Sequence, residues 1–342
     1  MTTRTLVLGG SGFVGPAVVE AALDRGHEVS VFNRGSQPTP PGVTQLRGDR
    51  VTGDLAALRG SARADAHAGT GPDRWDIVVD TWAGPPAAVS EAVRALAGRA
   101  RTYVYVSSAS VYTFPAPSGS DESAPLVEGD ADDADPQTEY AARKRGGELA
   151  AFRHDGPVVA ARAGLILGPR SDVGRLQWWL ERIARGGDVL APGPPGQSFQ
   201  YVDSRDLAAF CLERAEAGDR EAYTVISPAG SVTTRQLLGA CIDATGSSAT
   251  LRWVSPETIA AAGITPWTEL PIWLPPGELH DAMHEFDVAR AVAAGLVNRP
   301  LTETVGDTWT WLRAEGPPTL RPELSHGLDP EVERRVLARL PS

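Results

Sequence analysis

Short apolar runs and helical periods take turns along the first half of the chain. "TLVLGG" reads as a buried strand, and "GFVGPAVVEAALDRG" behind it repeats apolar positions at helical spacing until Gly26. "EVSVFN" is a second strand pattern, and "WDIVVDTWA" (75–83), "TYVYVSSAS" (102–110) and "VVAARAGLIL" (158–167) supply three more. Helical stretches such as "PPAAVSEAVRALAG" (85–98) lie between them. Strands that alternate with helices predict an α/β fold on a doubly wound parallel sheet.

The texture changes after Gly168. "LQWWLERIARGG" (176–187) is amphipathic, "LAPGPPG" is a turn-rich connection, and "SFQYVDSRDLAAFCLERA" reads as a strand leading into a helix. Asp206 in that helix reads as a cap or structural acid rather than a catalyst. Residues 231–313 mix short helices with the Pro/Trp-rich "PWTELPIWLPP". The predicted organisation is a sheet domain over 1–168, to which the chain returns at about 199–228, and a smaller mixed C-terminal substrate domain over 169–315. A Pro-rich tail over 316–342 is expected to be loosely attached. Trp178, Trp179, Trp267 and Trp273 are expected in the core or between the domains.

Composition then narrows the classes. With 342 residues, 42% of them hydrophobic, the chain can bury a substantial core, and its net charge of −11 leaves no basic field for nucleic acid or an anionic membrane. The acids of "DESAPLVEGDADDADP" (121–136) follow no metal-loop spacing and read as a solvated loop. Cys211 and Cys241 lie in apolar helical patterns, as buried free thiols do. "LVLGGSGFVGPAVV" resembles a secretory apolar region, but glycines interrupt it, and no other segment approaches the ~20 apolar residues of a bilayer span. The expectation is a cytoplasmic protein acting on a small molecule, without nucleic-acid or membrane partners, and compatible with a homodimer. His280 and His284 are spaced i, i+4 as metal ligands can be, but no third ligand is evident; both are read as surface residues and no metal is expected.

Candidate chemistry begins with Gly9, Gly12 and Gly15, a G-x-x-G-x-x-G between the first strand and the first helix. The first glycine of such a loop permits a tight turn, the second lets backbone approach a pyrophosphate, and the third lets the helix pack closely on the strand. The helix N-terminus presents unpaired N–H groups and partial positive charge to the phosphates. Residues 1–168 therefore read as a dinucleotide-binding domain of the Rossmann type. The second strand ends at Asn33-Arg34. An acid there would bond the ribose of NAD and repel a 2′-phosphate; Asn33 removes the repulsion and Arg34 offers a guanidinium fork, which favours NADP(H) over NAD(H). Asp49, after "QLRG", is placed to reach the adenine edge.

One lysine stands among the 32 basic residues, Lys144 in "EYAARK", four positions after Tyr140. Residues i and i+4 share a helix face, so the two point the same way. Making a phenol useful as a base at neutral pH needs a shift of about three units from ~10, or ~4 kcal/mol. An ammonium ~4 Å away supplies about that much at an effective dielectric of ~20. Arginine would bring charge as a broad planar fork, whereas a compact ammonium can face the phenol and donate to ribose hydroxyls. Gly146-Gly147 just beyond weakens the helix by up to ~1 kcal/mol each. Ser107, Ser108 and Ser110 end the strand "YVYVSSAS" beside the place of a nicotinamide, and alternation alone does not choose among them.

In "LGGSGFVG", "GD" at 48–49, "YVSSASVY", "YAARK", "RAGLILGP" and "QYVDSRDLA", taken in order over roughly residues 4 to 313, the chain resembles the extended short-chain dehydrogenases/reductases, the NAD-dependent epimerase/dehydratase family. The resemblance implies hydride exchange at a carbinol or carbonyl carbon, with Ser108 bonding the oxygen, Tyr140 moving its proton, and Lys144 lowering the tyrosine pKa and holding the ribose. It implies cofactor contacts at Gly9, Ser11, Gly12, Phe13, Val14, Asn33 and Arg34. Asp49, Arg50, Thr81 and Trp82 join them, and the substrate falls against Trp82, Ser108, Ser110 and Leu165. The departures bear on substrate. Ala109-Ser110 stand where sugar dehydratases have Asp-Glu, which disfavours dehydration. Leu165 replaces an asparagine that contacts a substrate diphosphate, Ala163 replaces a proline, and Thr81-Trp82-Ala83 replace His-Leu-Ala. A less phosphorylated, more apolar substrate follows from Leu165 and Trp82. The alternatives are an epimerase that keeps its nucleotide and a non-catalytic NADP-binding sensor or scaffold, against which the Ser–Tyr–Lys set argues.

Overall fold

A computed structural model describes residues 2–10, 12–36, 38–59, 74–317, 319–320 and 327–340. The first part runs β1 (Arg4–Leu8), α1 (Val14–Asp24), β2 (Glu28–Asn33), β3 (Thr44–Arg47), β4 (Trp75–Asp80), α2 (Ala87–Ala95), β5 (Ala100–Ser108), α3 (Tyr140–Ala151) and β6 (Val158–Ala163). There follow β7 (Ile166–Leu167), α4 (Arg175–Ala184), β8 (Asp188–Pro192), β9 (Ser198–Phe199), β10 (Val202–Asp203), α5 (Ser204–Ala217) and β11 (Glu221–Val225). The last part holds β12 (Val232–Thr233), α6 (Thr234–Thr245), β13 (Thr250–Val254), α7 (Pro256–Ala261), α8 (Glu278–His284), α9 (Ala289–Ala293), α10 (Leu301–Glu315) and α11 (Pro330–Leu337).

Among the described residues, seven strands pair in the order β11-β6-β5-β4-β1-β2-β3, every pair parallel. The chain winds outward from β1 to β3 and then crosses to β4, so the switch point lies between β1 and β4, where a doubly wound sheet opens its ligand crevice. Strand alternation builds the two faces. Tyr103 and Tyr105 of β5 join Leu6 and Val78 in one cluster, while Val104 and Val106 join Val7 and Val79 with α1 and α5 in another. Both faces are covered, which is why these strands read as continuous apolar runs. A further core of Trp179, Leu190, Phe199, Leu238 and Trp273 gathers α4, α6 and the parallel pair β8–β13.

Several expectations change in three dimensions. "VVAARAGLIL" is two strands: a side chain at Gly164 would collide with Ile226, and beyond it β7 leaves the main sheet to pair with β10. β3, not anticipated as a strand, aligns Arg47 with Asn33. Asp203 caps α5, accepting from Arg205 N at 2.8 Å, whereas Asp206 accepts from the main chain and guanidinium of Arg299, a structural acid. The acidic loop is not simply solvated. Ala131 is buried and accepts from Ser90 Oγ, and Glu122 accepts from Thr224 N at 2.7 Å. The tail is not loose over 327–340: α11 carries buried Glu333, which accepts from Arg182 Nε at 2.7 Å and Leu190 N at 3.0 Å.

His280 and His284 are not surface residues; both are buried in the wall formed by α8 and β9. The ring nitrogens of His280 stand 2.7 Å from Ser198 O and 3.0 Å from Asp281 Oδ1, and His284 Nδ1 accepts from Gln200 N. Cys211 and Cys241 are buried free thiols, that of Cys211 pushed up to about 12 by burial. No helix among the described residues is long and apolar enough to cross a membrane.

Candidate active site

The glycine loop leaves β1 at the switch point. Gly9 has φ +124°, and a side chain there would collide with Thr81, whose Oγ1 donates to Leu8 O at 3.1 Å. A Cβ at Gly15 would lie 2.6 Å from the backbone of Gly10, so this glycine is what lets α1 close on the turn. Gly12 differs: among the described residues, a Cβ there would meet nothing within 4 Å. The fold itself does not demand glycine at 12, whereas a pyrophosphate lying on the N-terminus of α1 does. The cradle therefore fits a dinucleotide. Phe13, at the N-cap of α1, is buried and Val14 packs on the α1–α5 core. Ser11 lies outside the described residues.

At the end of β2, Asn33 Oδ1 accepts from Gly35 N at 2.8 Å and Gln45 Nε2 at 3.0 Å, shaping the turn that leaves Arg34 exposed. The β2–β3 register brings a second guanidinium, Arg47, to the same corner. Sequence reasoning missed it because β3 was not recognised, although "QLR" beside the strand end was visible. Asp49 lies in the loop after β3 and its Oδ1 accepts from Val51 N at 2.8 Å.

Arg50 requires correction as a side-chain contact to the cofactor. Its guanidinium grips buried Asp80 at 2.5 and 2.9 Å and donates to Ala88 O at 2.9 Å. Burial is the largest single influence and would lower its pKa, but the Asp80 charge, the hydrogen bonds to Asp80 and the neighbouring tyrosines together raise it, so the group is a fixed structural cation. Asp80 also accepts from Tyr103 Oη at 2.6 Å and from Trp82 N at 2.9 Å. The Trp82 indole lies 4.8 Å from the Arg50 guanidinium and donates to Pro85 O, so the ring is held against the α2 side of the sheet.

α3 begins at Tyr140, which is 42% exposed, and carries Lys144 inward to 3% exposure. The ammonium donates to Trp82 O at 2.8 Å and Val106 O at 2.7 Å, bridging the chain ends of β4 and β5 at the carboxyl edge. It lies 4.8 Å from the centre of the Tyr105 ring, whose hydroxyl donates to the same Trp82 O at 3.1 Å. A side chain at Gly147 would collide with that hydroxyl, and one at Gly146 with Asp130 O. The two glycines thus let α3 close on β5 and on the acidic loop.

The three serines now separate. Ser107 is buried and donates to Glu148 Oε1 at 2.7 Å, within a network in which Glu148 also holds Arg162 at 2.9 and 3.1 Å. Ser108 faces the edge; its Oγ accepts from Ser110 N at 3.1 Å and donates to Ser110 Oγ at 3.1 Å. Leu165 is buried in the C-terminal core where that core meets the sheet. Ser108, Tyr140 and Lys144 therefore gather at one edge, with the glycine loop two strands away, on the far side of β4.

A family model described as the NAD dependent epimerase/dehydratase family matches residues 5–226. A 2-alkyl-3-oxoalkanoate reductase from Stenotrophomonas maltophilia (strain K279a) is 29% identical over 277 residues, 76% of this chain and 81% of the relative. A 3-beta-hydroxysteroid dehydrogenase from Mycolicibacterium neoaurum is 49% identical over 56 residues, 16% of this chain; the match spans only 15% of that relative's length. Among solved structures, the Bordetella bronchiseptica enzyme WbmG in complex with NAD and UDP superposes with a TM-score of 0.64 at 18% identity, covering 94% of this chain and 98% of the other. At that identity the likeness speaks for the fold.

Proposed function

This chain belongs to the NAD dependent epimerase/dehydratase family and is an enzyme of the oxidoreductase/epimerase kind; on that footing we propose that it exchanges a hydride at a secondary alcohol or ketone carbon of an apolar substrate, with Tyr140 moving the proton on oxygen. The observation that carries this reading is the buried ammonium of Lys144, clamped between Trp82 O and Val106 O at the carboxyl edge, one helical turn from Tyr140. A buried cation costs several kcal/mol unless it is bonded, and its retention beside a phenol is what proton chemistry there needs.

The nicotinamide nucleotide, when bound, accepts or supplies the hydride. Gly9, Gly12 and the N-terminus of α1 hold its pyrophosphate. Arg34 and Arg47 flank the end of β2, where Asn33 stands in place of an acid that would repel a 2′-phosphate, which favours NADP(H). Ser108 donates a hydrogen bond to the substrate oxygen, Tyr140 exchanges a proton with that oxygen, and Lys144 stabilises the phenolate by its charge. Leu165 and the apolar core around it support a substrate without a diphosphate. The relatives named for hydroxysteroid and oxoalkanoate chemistry support the same class for this chain.

The test is to assay purified protein with NADPH and NADH against apolar ketones, and with the oxidised nucleotides against the alcohols. Turnover that prefers NADPH and falls at least ~100-fold in Tyr140→Phe, with nucleotide affinity retained, is expected. Tight binding and turnover of UDP- or dTDP-sugars would sink the substrate class, and purified protein carrying stoichiometric nucleotide would favour an epimerase.

A further inference from the structure

We propose that Tyr105 is a positioning residue for Lys144: its hydroxyl shares the Trp82 carbonyl with the ammonium and so fixes where the charge stands. Tyr105 is fully buried and lies beneath the cation, 4.8 Å from Nζ to ring centre. Its Oη donates to Trp82 O at 3.1 Å, and Lys144 Nζ donates to the same oxygen at 2.8 Å. A carbonyl oxygen has two lone pairs, and here both are taken. The peptide plane is thereby held from two sides, and the ammonium from below by the ring face.

Gly147 makes room for the Tyr105 ring and its hydroxyl. It sits inside α3, and its φ is not in the left-handed region, so its backbone does not require glycine. Alanine would be the better helix former by about 1 kcal/mol. Its Cβ, however, would collide with the Tyr105 hydroxyl and with the ring carbon that carries it, 2.5 Å away. Ring carbons stand in the way as well as the hydroxyl, so glycine at 147 lets α3 close over the whole Tyr105 side chain, at a cost to the helix. Tyr103, two residues earlier on the same face, spends its hydroxyl on Asp80 instead and supplies an internal control.

The claim that Tyr105 places Lys144 stands apart from the reaction; only its kinetic consequence rests on the hydride-transfer reading. Lys144 is the only lysine of the chain. Protein grown on lysine labelled at its ε-carbon and ζ-nitrogen therefore gives one ammonium signal in solution NMR, readable without substrate. Tyr105→Phe is expected to speed exchange of its protons with water by roughly three- to tenfold, the scale of one lost hydrogen bond. Tyr103→Phe should leave that signal as in the parent protein. Tyr105→Phe should also move the apparent pKa of the pH–rate profile upward by about half a unit or more, because a less fixed ammonium stabilises the phenolate less. Should Tyr105→Phe fold poorly, Tyr105→Met, which also removes the hydroxyl and leaves Gly147 in place, is read in the same way. An unchanged lysine signal in a folded Tyr105 variant, or an equal change in Tyr103→Phe, overturns the proposal. A wild-type protein without hydride transfer overturns the functional reading alone and leaves the lysine signal to decide this one.

Discussion

Gly12 and Arg50 show what a single residue can be asked to do. At Gly12 the described residues leave room for a side chain, whereas a pyrophosphate bound on the proposed cradle would not, so stability and binding should part company. Gly12→Ala is expected to change thermal stability by no more than about 0.5 kcal/mol and to weaken NADPH binding about tenfold or more. A melting curve and a nucleotide-fluorescence titration on the same sample check both halves. Arg50 lies beside a motif position, yet its meaning depends on Asp80, 30 residues away, which no local pattern announces. Ser107 and Ser108 differ by one place in a strand, and the alternation that separates them became decisive only when Glu148 was seen beneath Ser107.

At the scale of elements, α3 and its approach to β5 set the geometry of the edge. Helix propensity says Gly146 should be replaced with profit, by about 1 kcal/mol. Packing says the opposite, since a Cβ there would collide with the main-chain oxygen of Asp130, which cannot rotate aside as a side chain can. Overpacking of this kind costs roughly 1–3 kcal/mol, so the clash wins and Gly146→Ala should be destabilised in urea unfolding. The glycine pair that reads as a weakness of the helix is thus a condition of its contact. β3 shows the converse: a four-residue strand with one buried position has little apolar signal, yet pairing with β2 sets Arg47 beside Asn33.

Across the whole molecule, the C-terminal core closes over the sheet and buries groups that titrate. Burial first, then the neighbouring His280, lowers the His284 pKa to about 3, and the hydrogen bond from Gln200 N keeps Nδ1 an acceptor. The unfolded chain binds a proton at His284 near pH 6.5 and the folded one only near 3. The folded state therefore binds fewer protons in this window, so stability is fully present above about pH 6.5 and declines as pH falls toward 3. Each unit is about 1.4 kcal/mol, making this a substantial part of any acid lability. His284→Gln should lose melting temperature less steeply than the parent between about pH 6.5 and 4, with thermal scans across that range as the check. Equal slopes would place the acid sensitivity in the carboxylates.

Strands β1, β2, β4, β5 and β6, the glycine loop and the one-turn spacing of Tyr140 and Lys144 were legible in the sequence alone. Each depends on backbone geometry over a few residues: period two, period 3.6, or a tight turn. Their joint occurrence in order was enough for the family. Tertiary structure alone decided which serine faces the edge, what Arg50 and Lys144 bond, why Gly147 is glycine and that His280 and His284 are buried. Those outcomes turn on the approach of segments 30 to 86 residues apart, such as Arg50 to Asp80 and Gln200 to Phe286, the residue just beyond His284 and its neighbour Glu285. Contact across such distances is selected by packing of the complete core, and no period in the chain encodes it.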